Sequence, residues 1–295
     1  MALDSMKEIF EAMEDQGLPF WEVILRADME DRQVSRSQSM AKMLTVWQAM
    51  SEAADNYSGR RRSASGLVGG DGMKMRQYTL RGKAMTGGYV SEVIAEALSM
   101  AESNACMCRI VAAPTAGACG VLPAVMLSLC RREKLTQHQI LEALYVASGI
   151  GAVIAHKAGI AGASGGCQAE IGTASAMAAG ALVALRGGTG EQIGHGVAMA
   201  LKNLMGLVCD PVAGLVEVPC VKRNAGGVMC AITAADMALA GICSVIPVDE
   251  VISAMREVGE SLPCALRETA QGGLAATPTA QELARRIFSP DGEQP

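Results

Sequence analysis

The stretch IGTASAMAAGALVAL, residues 171–185, contains no charged residue, no proline and no aromatic side chain. Small residues recur at every fourth position in Ala176, Gly180 and Ala184, which allows neighbouring helix backbones to approach closely. A second apolar run, LYVASGIGAVIA (144–155), is similarly rich in small residues. Both runs are shorter than the roughly 20 residues that a membrane-spanning helix needs. They predict buried helices.

Apolar residues recur at helical spacing over most of the chain, and no set of segments is typical of strands. We therefore predict an all-α protein, a helical bundle with glycine-rich loops. No repeat or low-complexity linker divides the sequence, so we expect one domain over residues 1–288 and a disordered tail at 289–295. The predicted helices are 6–14, 19–28, 38–54, 89–105, 121–132, 137–157, 168–185, 190–205, 221–242, 248–258 and 279–287.

The region between Tyr57 and Tyr89 departs from this pattern because it is rich in glycine, lysine and arginine. It predicts a long surface loop, and ordered loops longer than about 12–15 residues are usually functional. A shorter extended piece is predicted at IVAAPTAGACG (110–120).

Composition restricts the partners and the compartment. The formal net charge is -5 and no basic cluster dominates, which argues against nucleic acid and favours a small-molecule substrate. The N-terminus, MALDSMKEIFEAMED, is acidic and amphipathic, unlike a signal peptide. We expect a cytoplasmic protein without a membrane span, in which the ten cysteines are thiols or metal ligands rather than disulfides.

Four cysteines stand in loops or at helix entries, where free backbone N–H groups favour a thiolate. They are Cys119, Cys167, Cys209 and Cys220. Four thiolates would close a structural zinc or iron-sulfur site, whereas three would leave one metal position open to a substrate. The intervals of 42 and 11 residues that separate the last three match no short metal-binding motif, so spacing alone leaves both alternatives open.

Five motifs together resemble the iron-sulfur-dependent L-serine dehydratases, in particular the α chain of their two-chain form. The resemblance extends over nearly the whole sequence. The motifs are SGLVGG (65–70), APTAGACG (113–120), GASGGCQAEIG (162–172), GLVCDPVAGLVEVPCVKRNA (206–225) and LRETAQGGLAATPT (266–279).

The resemblance implies a [4Fe-4S] cluster housed in the glycine-rich loops and held by Cys167, Cys209 and Cys220, with Cys119 packing nearby. Single-chain members add a further cysteine from their C-terminus, and no cysteine follows Cys264 here. The cluster would therefore be open at one iron. That iron would act as a Lewis acid on the substrate hydroxyl while L-serine is converted to pyruvate and ammonia.

Substrate contacts are expected from two glycine turns that offer N–H and hydroxyl donors to a carboxylate. They are Thr115, Ala116 and Gly117 in PTAGACG, and Ser65 and Gly66 in SGLVGG. Three polar residues directly after Cys220 are further candidates, namely Lys222, Arg223 and Asn224.

The general base is not evident, because the histidines of the chain, His138, His156 and His195, all lie on predicted helices. In single-chain members an N-terminal domain carries histidine motifs, and in two-chain members this domain is the β subunit. Our hypothesis is that a β subunit supplies the base, that the isolated α chain is inactive, and that the enzyme is an oligomer.

One departure and three alternatives stay open. The sequence KAGIAG (157–162) stands where the family form reads NASISG, so Lys157, Gly159 and Ala161 could alter substrate identity. One alternative is β-elimination from L-cysteine or L-threonine, and another is a non-catalytic iron-sulfur or zinc protein closed by Cys119. The third, a pyridoxal-phosphate dehydratase, ranks last because no lysine stands in the SFKxRG context of those enzymes.

Overall fold

The computed structural model describes residues 3–289, and within them the chain forms helices and loops but no β-strand. One isolated parallel bridge joins Cys209 to Arg267. The prediction of an all-α protein is confirmed. Apart from Ser289, the predicted tail lies outside the described residues.

Thirteen α-helices lie between residues 3 and 289, and a π-helix, Gln168–Gly172, leads directly into the ninth. They are α1 (Met6–Gln16), α2 (Phe20–Asp31), α3 (Arg36–Asp55), α4 (Asp71–Leu80), α5 (Gly87–Ala105), α6 (Val121–Glu133), α7 (Gln137–Ala158), α8 (Gly162–Gly165), α9 (Thr173–Leu185), α10 (Gly190–Leu204), α11 (Cys220–Leu239), α12 (Val248–Ser261) and α13 (Pro278–Phe288).

Several of these helices begin at side chains that satisfy the free N–H groups of the first turn. Ser35, Thr136 and Thr189 precede α3, α7 and α10, and each side chain accepts a hydrogen bond from the backbone of a glutamine three residues later. The glutamine side chain returns a bond to the backbone N–H of the capping residue. These capping boxes fix where the three helices start.

Helix α9 lies at the centre and packs against α6, α7, α10 and α11. Its small side chains allow this: Gly180 lies so close to Ile150 of α7 that a β-carbon there would overlap the isoleucine side chain. A β-carbon at Gly227 of α11 would lie 2.8 Å from Val121 Cγ2. Close helix packing at small residues, predicted from the sequence, is therefore present.

Replacing Gly180 by alanine should lower the free energy of unfolding by about 1–3 kcal/mol, because overpacking forces neighbouring side chains to move. Gly226→Ala is the matched control, since Gly226 also lies in a helix but has no atom within 4 Å of the point that a β-carbon would occupy. It should be neutral or stabilising, because alanine has the higher helix propensity. Urea unfolding of both variants measures the difference, and equal stabilities would contradict this account of the packing.

The prediction of one long loop between Tyr57 and Tyr89 is wrong, because residues 71–80 form α4. This helix is charged, but it is joined to α5, because Arg76 pairs with the buried Glu96 at 2.9 Å. The buried carboxylate of Glu102 accepts the N–H groups of Asp71 and Gly72, at 2.6 and 3.3 Å. The predicted extended piece at 110–120 is also wrong in part, since Ala116–Ala118 form a 3-10 helix.

Helix α7 is 22 residues long, and its length and composition would suffice to cross a membrane. It extends well beyond the apolar run 144–155 from which a buried helix was predicted. Of its most apolar window, 67% is buried inside the protein, against α2, α3, α9 and α12. A core helix has the same features, so the apolar character of α7 is explained by its packing.

The two tryptophans lie on the N-terminal helices. Trp21 of α2 packs edge-on against His138 and lies beneath the guanidinium of Arg36, 5.6 Å from the ring centre. Trp47 of α3 packs beside Met100 and other buried residues. The rings thus help to attach α2 and α3 to the helices of the core.

Candidate functional site

Three of the cysteines chosen from the sequence come together from three separate segments. Cys167 immediately precedes the π-helix, Cys209 lies in the loop between α10 and α11, and Cys220 is the first residue of α11. All are buried, with 3%, 2% and 7% of their surface exposed. The charge of Cys167 raises the pKa of both other thiols, so the three lie within electrostatic reach of one another.

Burial is the main cause of the raised pKa of each thiol. It raises the pKa of Cys167 to about 11 and that of Cys220 to about 12, and it raises the pKa of Cys209 as well. At neutral pH the thiols are therefore protonated until a cation replaces the protons. Metal binding at such a site releases protons and is strongly favoured by rising pH.

Among residues 3–289, no three His, Cys, Asp or Glu side chains converge closely enough to hold a single metal ion. In an iron-sulfur cluster each thiolate binds a different iron, so separated thiols suit a cluster. The donor set of three buried cysteines therefore fits a [4Fe-4S] cluster with one iron not bound by cysteine.

Cys119 does not join this group. Its thiol is completely buried and faces the carbonyl of Met100 at 3.7 Å. Burial raises its pKa to about 12, and no other cysteine contributes to that shift. This environment agrees with the interpretation of Cys119 as a packing residue and argues against Cys119 as a fourth ligand.

The segment around Cys209 is held by the C-terminal part of the chain. The Cys209 N–H donates to Leu266 O at 2.9 Å, and the Glu268 N–H donates to Cys209 O at 2.8 Å. Glu268 adopts a positive φ of 62°, which is uncommon for a residue with a side chain. The motif LRETAQGG thus contributes to the site by fixing Cys209.

Arg223 is the cation nearest to the cysteines. Its guanidinium donates to Val208 O at 2.7 Å and to Asp210 Oδ1 at 2.8 Å. Its positive charge also opposes the rise that burial causes in the pKa of Cys167. The predicted residue Arg223 is therefore in the site, where it stabilises a thiolate and orders the chain beside Cys209.

Asn224 is also in the site, but its amide is fully used by the protein. Its Oδ1 accepts the Gly120 N–H at 2.9 Å, and its Nδ2 donates to Gly117 O at 2.8 Å and Cys220 O at 3.0 Å. The side chain is completely buried. Asn224 thus ties the PTAGACG turn to the start of α11, and its role in binding substrate stays a prediction.

Glu170 is a residue of the site that was not among those predicted from the sequence. The Thr115 hydroxyl donates to its Oε1 at 2.7 Å, and a β-carbon at Gly117 would lie 3.3 Å from that oxygen. On the other side, a β-carbon at Gly162 would lie 2.8 Å from Glu170 Oε2 and 3.1 Å from Cys209 Sγ. Burial raises the pKa of Glu170, and the bond from Thr115 opposes that shift.

The remaining predicted substrate residues have partners within the protein. The Ser65 hydroxyl donates a hydrogen bond of 2.5 Å to the buried Glu217, which lies three residues before Cys220 in the sequence. Gly66 lies exposed in the same loop as Ser65, with a φ of 75°. Lys222 is exposed and pairs with Asp71 of α4 at 3.2 Å. Lys222 therefore points toward α4, and its role as a substrate contact stays a prediction. Ala116 is exposed beside Gly117 in the first glycine turn.

The three histidines lie elsewhere. His138 is exposed beside Glu142, and His156 is exposed beside Asp4. His195 accepts the Ser244 N–H through Nδ1 at 3.3 Å. None of them has a contact with the cysteines or with Glu170 among the described residues.

The departure KAGIAG is resolved in part. Lys157 pairs with Asp249 at 3.0 Å, and the same carboxylate accepts the N–H groups of Met6 and Lys7 at the start of α1. Gly159 ends α7 at a φ of 74°, and Ala161 precedes α8 as an exposed residue. The lysine gained here thus attaches the N-terminal helix and has no contact with the cysteine site.

Fold and site together define an all-helical protein with a cysteine-lined candidate metal centre that includes an unpaired carboxylate. A sequence model described as "Serine dehydratase alpha chain" matches residues 15–275. The chain therefore belongs to the serine dehydratase alpha chain family, as the motifs indicated.

Individual relatives agree with this assignment. The chain is 45% identical over 284 residues to "Probable L-serine dehydratase, alpha chain" of Bacillus subtilis (strain 168), covering 96% of this chain and 95% of the relative. It is 40% identical over 292 residues to "L-serine dehydratase, alpha chain" of Peptoniphilus asaccharolyticus, covering 99% and 100%. With "L-serine dehydratase TdcG" of Escherichia coli (strain K12) it shares 33% identity, over 92% of this chain and 61% of the relative.

Proposed function

We propose that this protein is the α chain of an L-serine dehydratase, a lyase that converts L-serine to pyruvate and ammonia. The observation that carries the proposal is the meeting of three buried cysteines with Glu170 and the PTAGACG turn. Support comes from relatives named as L-serine dehydratase alpha chains that match this chain over almost its full length.

Cys167, Cys209 and Cys220 are proposed to hold a [4Fe-4S] cluster, since three buried thiols and the separate position of Cys119 suit a cluster with one iron left open. When bound, the cluster supplies a Lewis acid for the departure of the substrate hydroxyl. Arg223 stabilises the thiolate of Cys167, and the segment at Glu268 holds Cys209 in place.

The substrate is proposed to lie between the PTAGACG turn and the cysteines. Thr115 hydrogen-bonds to Glu170, and Gly117 and Gly162 allow the carboxylate to approach closely because they lack side chains. Thr115 fixes the carboxylate of Glu170 by its hydroxyl. Asn224 fixes the turn itself, and burial of the cysteines excludes bulk water.

A β subunit is proposed to complete the enzyme. Two relatives are named as alpha chains, and the histidines of this chain lie away from the cysteines. The residue that removes the Cα proton is therefore proposed to come from the β subunit. We also propose a cytoplasmic, oligomeric enzyme, as expected from the sequence.

Purification of the αβ complex without oxygen tests the proposal. We expect bound iron and sulfide, a visible absorption typical of an iron-sulfur cluster, and pyruvate formation from L-serine. Turnover of L-threonine and L-cysteine should be slower, because the alternative β-eliminations are not favoured by any described contact. A complex without iron, or one that prefers L-cysteine, would contradict the proposal.

A further inference from the structure

Glu170 is a half-buried anion without a cationic partner. It forms no ion pair with any residue between 3 and 289, and its single hydrogen bond comes from the neutral hydroxyl of Thr115. The nearest cation, Arg223, is occupied by Asp210, Val208 and Cys167. A carboxylate in such surroundings is destabilised by burial, and it gains most from a ligand that brings a positive charge.

The second carboxylate oxygen of Glu170, Oε2, lies beside Gly162, and the thiol of Cys209 lies beside the same residue. Oε1 accepts the Thr115 hydroxyl, whereas Oε2 accepts no hydrogen bond within the described part of the chain. Glu170 Oε2 and the thiol of Cys209 both lie close to Gly162, since a β-carbon at this residue would lie 2.8 Å from Oε2 and 3.1 Å from Cys209 Sγ. A ligand that reaches the cysteines would therefore also reach Oε2.

The Thr115 hydroxyl holds the carboxylate, and the segment that carries it is anchored by hydrogen bonds. Glu170 lies within the π-helix Gln168–Gly172, a form of helix that is frequent at functional sites. The nearby Gln168 is anchored at both ends, because its Nε2 donates to Met255 O at 2.9 Å and its Oε1 accepts the Gly206 N–H at 2.7 Å. A preorganised anion binds a cation without the cost of ordering its own side chain.

Local charge makes the site unsuitable for a second anion. Glu268 lies near enough to Glu170 that its negative charge raises the pKa of that carboxyl. The end of the substrate that approaches Glu170 must therefore be the positive one. L-Serine carries one such group, its ammonium.

We propose that Glu170 binds the ammonium group of the amino-acid substrate and thereby selects amino acids over hydroxy acids. This inference rests on the proposed function and assigns a positioning and specificity residue to it. The hydroxyl of Thr115 orients the carboxylate, and Gly162 and Gly117 keep the space around it open.

The test compares L-serine with L-glycerate, which carries a hydroxyl in place of the ammonium, in the αβ complex. Glu170→Gln keeps the shape and the acceptor for Thr115 but removes the charge. We expect it to raise the KM for L-serine by about 10- to 100-fold, the range of a lost charged hydrogen bond. The inhibition constant of L-glycerate should change by less than about threefold, since a neutral group loses little when the anion is removed.

Binding is measured separately from turnover by the rise in Tm that each compound causes. Stabilisation by L-serine should be lost in Glu170→Gln, and stabilisation by L-glycerate should be kept. Glu133→Gln is the matched control, because Glu133 pairs with Arg186 and has no contact with the cysteines. Glu170→Asp retains the charge and should discriminate between the two compounds better than Glu170→Gln.

The outcomes separate this inference from the proposed function. A wild-type complex that forms no pyruvate from L-serine refutes the function, while the Tm measurements still decide whether Glu170 recognises the ammonium. An unchanged KM in Glu170→Gln, or equal losses for L-serine and L-glycerate, overturns the inference. So does a fall in kcat with KM preserved, which would assign Glu170 to the chemical step instead.

Discussion

Replacing Cys209 by serine should abolish cluster binding and reduce serine-dependent pyruvate formation by more than about 100-fold. Loss of a supporting residue around a metal already costs about 10- to 100-fold in affinity or activity, and loss of a ligand should exceed that range. Serine is nearly the same size as cysteine, so the backbone hydrogen bonds of residue 209 with Leu266 and Glu268 should be kept. Cys167→Ser and Cys220→Ser should behave in the same way.

Cys119→Ala is the control for this prediction. Its thiol is as deeply buried as that of Cys209 but faces Met100 O, so its removal should leave the iron content unchanged. Iron and sulfide analysis after anaerobic purification, together with circular dichroism to establish folding, measures the contrast. Loss of iron in Cys119→Ala, or normal iron in a folded Cys209→Ser protein, would restore the alternative of a site closed by Cys119.

The isolated α chain, reconstituted with iron and sulfide, should form pyruvate from L-serine about 10²–10⁴ times more slowly than the αβ complex, the usual contribution of a general base. The physical reason is the position of the histidines, since His138 and His156 are paired at the surface and His195 accepts a bond from Ser244. The decisive measurement is the rate of α chain alone and after addition of purified β subunit.

Equal iron content in the α chain and in the complex is the necessary control, because a missing cluster would also abolish activity. Restoration of the rate by the β subunit, without uptake of iron, would show that the subunit adds a catalytic group. An α chain that is fully active alone would instead require a base within this chain, and Glu170 would be the first residue to examine.

Most helices were predictable because their apolar residues recur at helical spacing. Helix α4 was not, because its stability depends on partners distant in sequence. Arg76 reads as a surface charge until Glu96 of α5 is placed beside it. The first turn of α4 likewise depends on α5, because the Glu102 carboxylate accepts the backbone N–H of Asp71. Charge alone therefore suggested a loop where pairing with buried glutamates produces a helix.

The cysteines of the site were predictable through motif resemblance, whereas their spacing left them ambiguous. Side-chain direction was not predictable from proximity to Cys220. Lys222 turns outward to Asp71, while Arg223 turns inward to Asp210. Glu170 lies within the motif GASGGCQAEIG but was not predicted as a site residue, because the π-helix that places it beside Gly162 has no recognised sequence signature.

The location of both tryptophans on α2 and α3 has a practical use in spectroscopy. These helices supply no residue to the cysteine site, so intrinsic fluorescence reports on their attachment to the core. Visible absorption of the reconstituted protein would report on the cysteines instead. Following both signals through one denaturant titration would reveal whether the N-terminal helices detach first, since coincident midpoints are the mark of a single cooperative transition.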